Sequence, residues 1–456
     1  MVNFTIDTTL THLKSIWILS LTSPVLSFLV GAIAGPATGL FNFAAWAGGS
    51  SALESVTTEF TRLSLCVQVL LTAIQLPGKF VKDAWRSLVA MLLPGMTLMW
   101  LMSSLLIWAI IAIPGDDGGS KRMPFLYAMA IGACIAPTDP VLASTIIKGR
   151  WAEQHVPGPL VRMMSGESGA NDGLGFPFVF LSLYLIAYVG GSGEYVHTEG
   201  GAGRAMAHFF GNTIAYMVIL GTVWGAIVGY VGAKLIKVCQ KMQYVEQESF
   251  FAFPILLAIF LIGTCGMAGS NDILAAFAAG NALSWDDWFR RNTAKDSFST
   301  TIEMFLNIAL FIYLGAICPW RSFAPVLNEE TTPFTIPLWR LVCLAIAILA
   351  LRRIPPVLLL YKLRLLRPHV QTLRQAGFVG FFGPMGISTI FYLYQIRDFC
   401  MHSLGDGKGG MRPDAEILYN ISDVIIWFLV ASSVVSSPTN CVSSSHKLTW
   451  TMRFTA

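Results

Sequence analysis

The sequence predicts an all-α polytopic membrane protein that crosses the bilayer about twelve times. Its 456 residues are 54% hydrophobic and only 12% charged, whereas a soluble protein carries about 25% charged and roughly 45–50% apolar residues. A soluble fold cannot bury such an excess of apolar side chains, but a bilayer accommodates them because it is itself an apolar solvent. The apolar runs and the basic residues between them indicate the same fold class.

Apolar runs define the predicted domain. A helix needs about 20 mostly apolar residues to cross the hydrocarbon core, and twelve runs meet or approach that length. One transmembrane domain is therefore predicted over residues 15–436, with a short polar segment at 1–14 and a polar stub at 437–456. The predicted spans are 15–35, 61–77, 87–113, 125–147, 159–189, 208–233, 249–268, 271–285, 303–320, 337–360, 376–395 and 416–436.

Basic residues between the spans predict the orientation. The loops after the even-numbered spans hold fifteen Lys and Arg residues, and the other loops, counted with Arg62 at the start of the second span, hold eight. Because short cytoplasmic loops are enriched in Lys and Arg, this alternation predicts that both termini lie in the cytoplasm.

A helix breaker interrupts the fourth span. Pro137 and Pro140 bracket Thr138 and Asp139 in the middle of the run. Each proline removes a backbone donor and clashes with the preceding turn. The helix should therefore break here and free carbonyl groups that can coordinate a cation. A simple kink capped by Asp139 is the structural alternative, and the spacing alone does not decide between the two.

The fifth span carries two carboxylates and an amide. Ser168 and Asp172 share one helix face, and Glu167 and Asn171 share the adjacent one. A carboxylate beside hydroxyl and carbonyl oxygens suits a small alkali cation. Since removal from water disfavours a charged carboxylate, the same group can hold a proton when no cation is bound. Proton and cation are therefore predicted to compete for Asp172, with Ser168, Asn171 and Thr138 beside them.

Glu167 is predicted to be a structural carboxylate that needs a buried cationic partner. Arg352 and Arg353 lie deep in the tenth span, just before two prolines. An ion pair between Glu167 and one of them would let both charges stay buried, and the sequence leaves open which arginine forms it.

A second helix breaker lies in the eleventh span, where Gly383, Pro384 and Gly386 follow one another closely. Broken helices at matching places in two halves are typical of inverted-repeat transporters. Because lipid cannot satisfy freed backbone groups, the breaks in the fourth and eleventh spans are predicted to cross at mid-membrane beside Asp172.

Five strings together resemble the cation/proton antiporter superfamily, and specifically its fungal plasma-membrane sodium/proton antiporter branch. They occur in the order that this family has and extend over nearly the whole chain. They lie at residues 138–140, 167–172, 280–289, 352–355 and 383–386.

The resemblance implies a role for each matching residue. In that family the aspartate that matches Asp172 exchanges a proton for a cation, the positions that match Thr138 and Ser168 help to ligate the ion, and the glutamate that matches Glu167 pairs with a helix arginine. It also implies a homodimer in the plasma membrane that needs no cofactor beyond the transported sodium and protons. The polar segment at 1–14 does not resemble the family's usual first helix, so an antiporter fold without that helix is expected.

Two other functions compete with exchange. Loss of terminal segments could leave an inactive, antiporter-like sensor. The Gly-Glu-Ser-Gly string at 166–169 also matches intramembrane serine proteases of the rhomboid type, but the histidines lie in predicted loops or at span ends. No nucleic acid partner is expected. The choice among sodium, potassium and lithium depends on the size of the site and is left open.

Overall fold

A computed structural model describes residues 23–114, 120–140, 142–143, 156–190, 200–244, 247–293, 298–323, 336–405 and 411–451. Nineteen named α-helices make up most of this part of the chain. They are α1 Ser23–Ala32, α2 Phe43–Ala47, α3 Ser50–Gln75, α4 Phe80–Ala90, α5 Met96–Ile110, α6 Phe125–Cys134, α7 Gly158–Gly173, α8 Phe176–Tyr188, α9 Gly201–His208, α10 Gly221–Lys241, α11 Gln247–Met267, α12 Asp272–Leu283, α13 Trp288–Thr293, α14 Phe298–Ile317, α15 Leu338–Leu351, α16 Ile354–Lys362, α17 Leu373–Phe381, α18 Ile387–Ser403 and α19 Pro413–Thr451.

Shorter elements connect these helices. π-helical turns extend α1 over Ile33–Ala37, join α4 to α5 over Met91–Gly95, and join α9 to α10 over Phe209–Leu220. A small antiparallel hairpin pairs β1, Ala112–Pro114, with β2, Ser120–Arg122. A 3-10 turn, Trp320–Phe323, follows α14.

The helices confirm the predicted fold class. Each of the twelve predicted spans overlaps a described helix, and residues 1–22 lie outside the described part. Five helical stretches among the described residues are long and apolar enough to cross a membrane. They are Phe80–Ile110, Gly158–Tyr188, Gly201–Lys241, Leu338–Lys362 and Ala415–Ser436. Shorter apolar helices accompany them, for instance Asp272–Leu283.

Two predicted boundaries differ from the structure. The second span was expected from residue 61, but α3 begins at Ser50. Its early polar residues do not end the helix, because the hydroxyl of Thr57 donates to the Leu53 carbonyl at 2.7 Å and that of Thr61 to the Thr57 carbonyl at 2.7 Å. At the other end, α19 continues through Thr451 instead of ending near residue 436.

Close packing at small residues brings helices into backbone contact. On α10, a Cβ added to Gly225 would lie 2.1 Å from the Ala275 carbonyl oxygen of α12, and one added to Gly229 would lie 2.3 Å from that of Ala279. Small residues favour such close approach between membrane helices. Substitution at either glycine would push α10 away from α12.

Both predicted helix interruptions are present. Helix α6 ends at Cys134, and helical structure resumes at Pro140. Helix α17 ends at Phe381, and α18 begins at Ile387 after five non-helical residues. The tenth span, for which no break was predicted, is also interrupted at residues 352–353, between α15 and α16.

Candidate ion-binding site

Asp139 joins the two interrupted helices where they cross. Its backbone N–H donates to the Pro384 carbonyl at 3.0 Å. Its Oδ1 accepts from the Leu142 N–H at 3.0 Å, and its Oδ2 accepts from the Ile387 N–H at 2.8 Å. One carboxylate therefore caps the N-termini of both helical halves that follow the breaks, where a negative charge is favourable.

Close approach at the crossing requires a glycine. A Cβ added to Gly386 would lie 2.0 Å from Asp139 Oδ2. Two heavy atoms cannot remain that close without displacement of the backbone or of the carboxylate. Gly386 therefore allows α18 to begin against Asp139.

Arg352 caps the C-terminal ends of the two helices that precede the breaks. Its guanidinium donates to the carbonyl oxygens of Ile135 and Gly383, which follow the last turns of α6 and α17. A positive charge is favourable at a helix C-terminus, and the side chain is buried. Arg352, one of the two arginines proposed to pair with Glu167, therefore binds carbonyls at both breaks.

The other arginine forms the ion pair. Arg353 Nη2 lies 2.7 Å from Glu167 Oε2, with both side chains buried. Arg353 Nε also donates to the Val379 carbonyl at 2.9 Å. The pair therefore connects α7 to α17 beside the second break.

Oxygen atoms converge on the end of α7. Thr138 Oγ1 lies 3.2 Å from Ser168 Oγ and accepts from Asn171 Nδ2 at 2.8 Å. The side chain of Asp172 is fully buried, and neither carboxylate oxygen has a hydrogen-bond partner among the described residues. Asp139 is close enough to Asp172 for the two carboxylates to interact electrostatically. The five predicted ion- or proton-binding residues thus lie in one region.

Several residues that support this region were not predicted. The Tyr392 hydroxyl donates to the Asp172 carbonyl, and Asn271 Nδ2 donates to the Gly173 carbonyl at 2.6 Å. The hydroxyls of Ser388 and Thr389, at the start of α18, are buried without a hydrogen-bond partner among the described residues. The sequence signal for Ser388 and Thr389 was their position directly after the second helix breaker.

The unpaired oxygens indicate what this site can bind. Buried polar atoms normally have hydrogen-bond partners, yet Asp172, Asn171 and Ser388 each present an unpaired oxygen among the described residues. Oxygen ligands suit hard cations, and a carboxylate can instead take up a proton. The arrangement can therefore hold either a small cation or a proton at Asp172.

Comparisons with known proteins agree on the family. A family described as sodium/hydrogen exchanger, transmembrane, matches residues 8–401. The Na(+)/H(+) antiporter 2 of Zygosaccharomyces rouxii is 38% identical over 80% of this chain and 41% of its own length. The Na(+)/H(+) antiporter of Saccharomyces cerevisiae is 39% identical over 80% of this chain and 34% of its own length. The chain thus spans less than half the length of these two relatives.

A shorter relative and a solved structure extend the comparison. A Na(+)/H(+) antiporter of Schizosaccharomyces pombe is 27% identical over 91% of this chain and 81% of its own length. The sodium proton antiporter MjNhaP1 from Methanocaldococcus jannaschii has the same fold, with a TM-score of 0.66, 14% identity, and coverage of 93% of this chain and 95% of that one. The predicted antiporter fold is thereby confirmed. The chain belongs to the transmembrane sodium/hydrogen exchanger family, whose antiporter members are transporters and not enzymes.

Proposed function

We propose that this chain exchanges sodium for protons across a membrane, with Asp172 as the group that binds one or the other. The observation that carries the proposal is the buried Asp172 carboxylate, which has no hydrogen-bond partner among the described residues. The oxygens of Thr138 and Ser168 lie in the same region. Relatives named as Na(+)/H(+) antiporters support sodium and protons as the exchanged ions.

The charges around the site favour exchange at Asp172. Asp139 and Arg352 carry opposite charges and cap the broken helices, and Glu167 is neutralised by Arg353. Among the described residues, no cation compensates the charge of Asp172.

An uncompensated buried carboxylate is costly. Asp172 is therefore more stable when it binds a proton or a cation than when it binds neither. Release of one occupant favours capture of the other, and this competition couples the two fluxes. Since one carboxylate changes its occupant, we propose exchange of one cation for one proton.

Alternating access completes the proposed mechanism. The site must open to one side of the membrane at a time, because a continuous pathway would let ions leak. Broken helices suit such a site, since their freed backbone groups can line a cavity and interact with the ion. The multi-pass chain is proposed to act as a homodimer in the plasma membrane with both termini in the cytoplasm, and potassium and lithium are candidate substrates beside sodium.

The test is transport by purified protein in liposomes. A pH gradient should drive sodium uptake by the wild type, and D172N should abolish it while the protein remains folded. D398N is the matched control, because the exposed Asp398 on α18 pairs only with the exposed His402 among the described residues. Near-normal exchange by well-folded D172N would refute the role of Asp172. Absence of flux in the wild-type protein would favour the inactive sensor.

A further inference from the structure

We infer that Ser388, on the second broken helix, ligates the transported cation and makes the site favour small alkali ions. This inference rests on the proposed exchange function. It extends the site beyond α7 and the fourth span, which carry the predicted ion ligands. Ser388 would contribute an oxygen from the opposite half of the fold.

Ser388 combines burial, an unpaired hydroxyl and a position near Asp172. It is the second residue of α18 and is fully buried. Its hydroxyl has no hydrogen-bond partner within normal geometry among the described residues. The preceding residue, Ile387, donates its N–H to Asp139 Oδ2 at 2.8 Å, and Ser388 lies near enough to the Asp172 carboxylate to interact with it. A buried hydroxyl and a buried carboxylate, both without a hydrogen-bond partner among the described residues, therefore lie near each other.

The helix break explains why this hydroxyl is unpaired. Several buried serines in this chain, Ser103, Ser104 and Ser182, donate to the carbonyl four residues earlier, the last of them to Phe178 at 2.9 Å. The corresponding carbonyl for Ser388 is that of Pro384, which lies in the break and accepts from the Asp139 N–H at 3.0 Å. The break therefore leaves the Ser388 hydroxyl available to a ligand.

A hydroxyl can serve both occupied states of Asp172. It has two acceptor lone pairs and one donor. With a cation bound, the oxygen of Ser388 can face the ion together with the carboxylate. With a proton on Asp172, the same oxygen can accept a hydrogen bond from the carboxylic acid. Ser388 thus avoids an unpaired buried group in either state.

Selectivity follows from the number of ligands. Selection between hard cations depends on cavity size, ligand number and flexibility. A small ion binds its water tightly and needs a full set of close oxygens to replace it. Removal of one oxygen should therefore weaken binding of lithium and sodium more than binding of potassium.

The experiment measures the apparent KM for lithium, sodium and potassium in liposomes. S388A should raise KM for lithium and sodium by about tenfold, in line with loss of one interaction with a charged group, and raise KM for potassium less than threefold. S388T keeps the hydroxyl and should restore the wild-type order. S182A is the matched control, since it removes a buried serine hydroxyl that is satisfied within its own helix.

Two outcomes would overturn the inference and leave the exchange function intact. In one, S388A keeps KM values for all three ions within twofold of wild type. In the other, S388A raises KM equally for all three ions. Failure of the wild type to transport would instead overturn the proposed function. If S388A does not survive reconstitution, ion binding can be measured in detergent. The measurement is the change in melting temperature that lithium or potassium produces in purified S388A and S388T. A lithium shift lost in S388A and kept in S388T supports the inference, and equal shifts in both contradict it.

Discussion

The buried pair of Glu167 and Arg353 gives a quantitative test of the scaffold. Their charged atoms lie 2.7 Å apart, and the exposed fractions of the two side chains are 0% and 5%. At an effective dielectric constant of about 20, two unit charges at that separation attract by roughly 6 kcal/mol. Desolvation of both ions offsets much of this attraction, so the measurable quantity is the cost of removing one partner.

Removal of either partner leaves a buried charge without compensation. E167Q or R353M should each lower the free energy of unfolding by about 3–5 kcal/mol. The double variant leaves neither charge unpaired, so its loss should be smaller than the two losses added, with a coupling energy of about 1–3 kcal/mol. Titration of the purified protein in detergent with a denaturant measures these free energies of unfolding.

Arg352 provides the matched control for this cycle. It binds the carbonyls of Ile135 and Gly383 and not the carboxylate of Glu167. R352M should therefore destabilise the protein, yet couple to E167Q more weakly than R353M does. Purely additive losses for E167Q and R353M, or stronger coupling with R352M, would refute the assigned pairing.

Two further substitutions test the site and the crossing. S168A should raise KM for sodium severalfold and leave measurable exchange, because Ser168 supplies one oxygen among several. Complete loss of exchange in S168A, together with detectable proteolysis by the wild type in liposomes, would favour the serine protease. G386A should abolish exchange and lower thermal stability, since its Cβ would lie 2.0 Å from Asp139 Oδ2. G377A is its control, because a Cβ there meets nothing within 4 Å, and equal effects of the two substitutions would contradict the packing argument.

Much of the fold is predictable from short stretches of sequence. Apolar runs predict membrane helices because the bilayer has a fixed thickness. Proline and glycine predict interruptions because they remove or free backbone hydrogen bonds wherever they occur. The start of α3 was missed because Thr57 and Thr61 bury their hydroxyls against carbonyls of their own helix, which a count of apolar residues does not register.

Part of the candidate site is also predictable from short stretches of sequence. The sequence by itself determined that Asp172 is a carboxylate in an apolar run, with Ser168 and Asn171 at helical spacing. It also located helix breakers in the fourth and eleventh spans, and it left open whether the fourth span breaks or only kinks. These properties depend on local chemistry, which a reader of the sequence can see within a few residues.

Only the tertiary structure decided which groups meet. Arg353 and not Arg352 pairs with Glu167, Arg352 binds carbonyls at both breaks, and Ser388 lies near Asp172. Each contact joins residues that are far apart in the chain, and adjacent arginines differ in partner because their side chains leave the interrupted helix in different directions. Sequence spacing carries no information on those directions, which are set by how the helices pack across the two breaks.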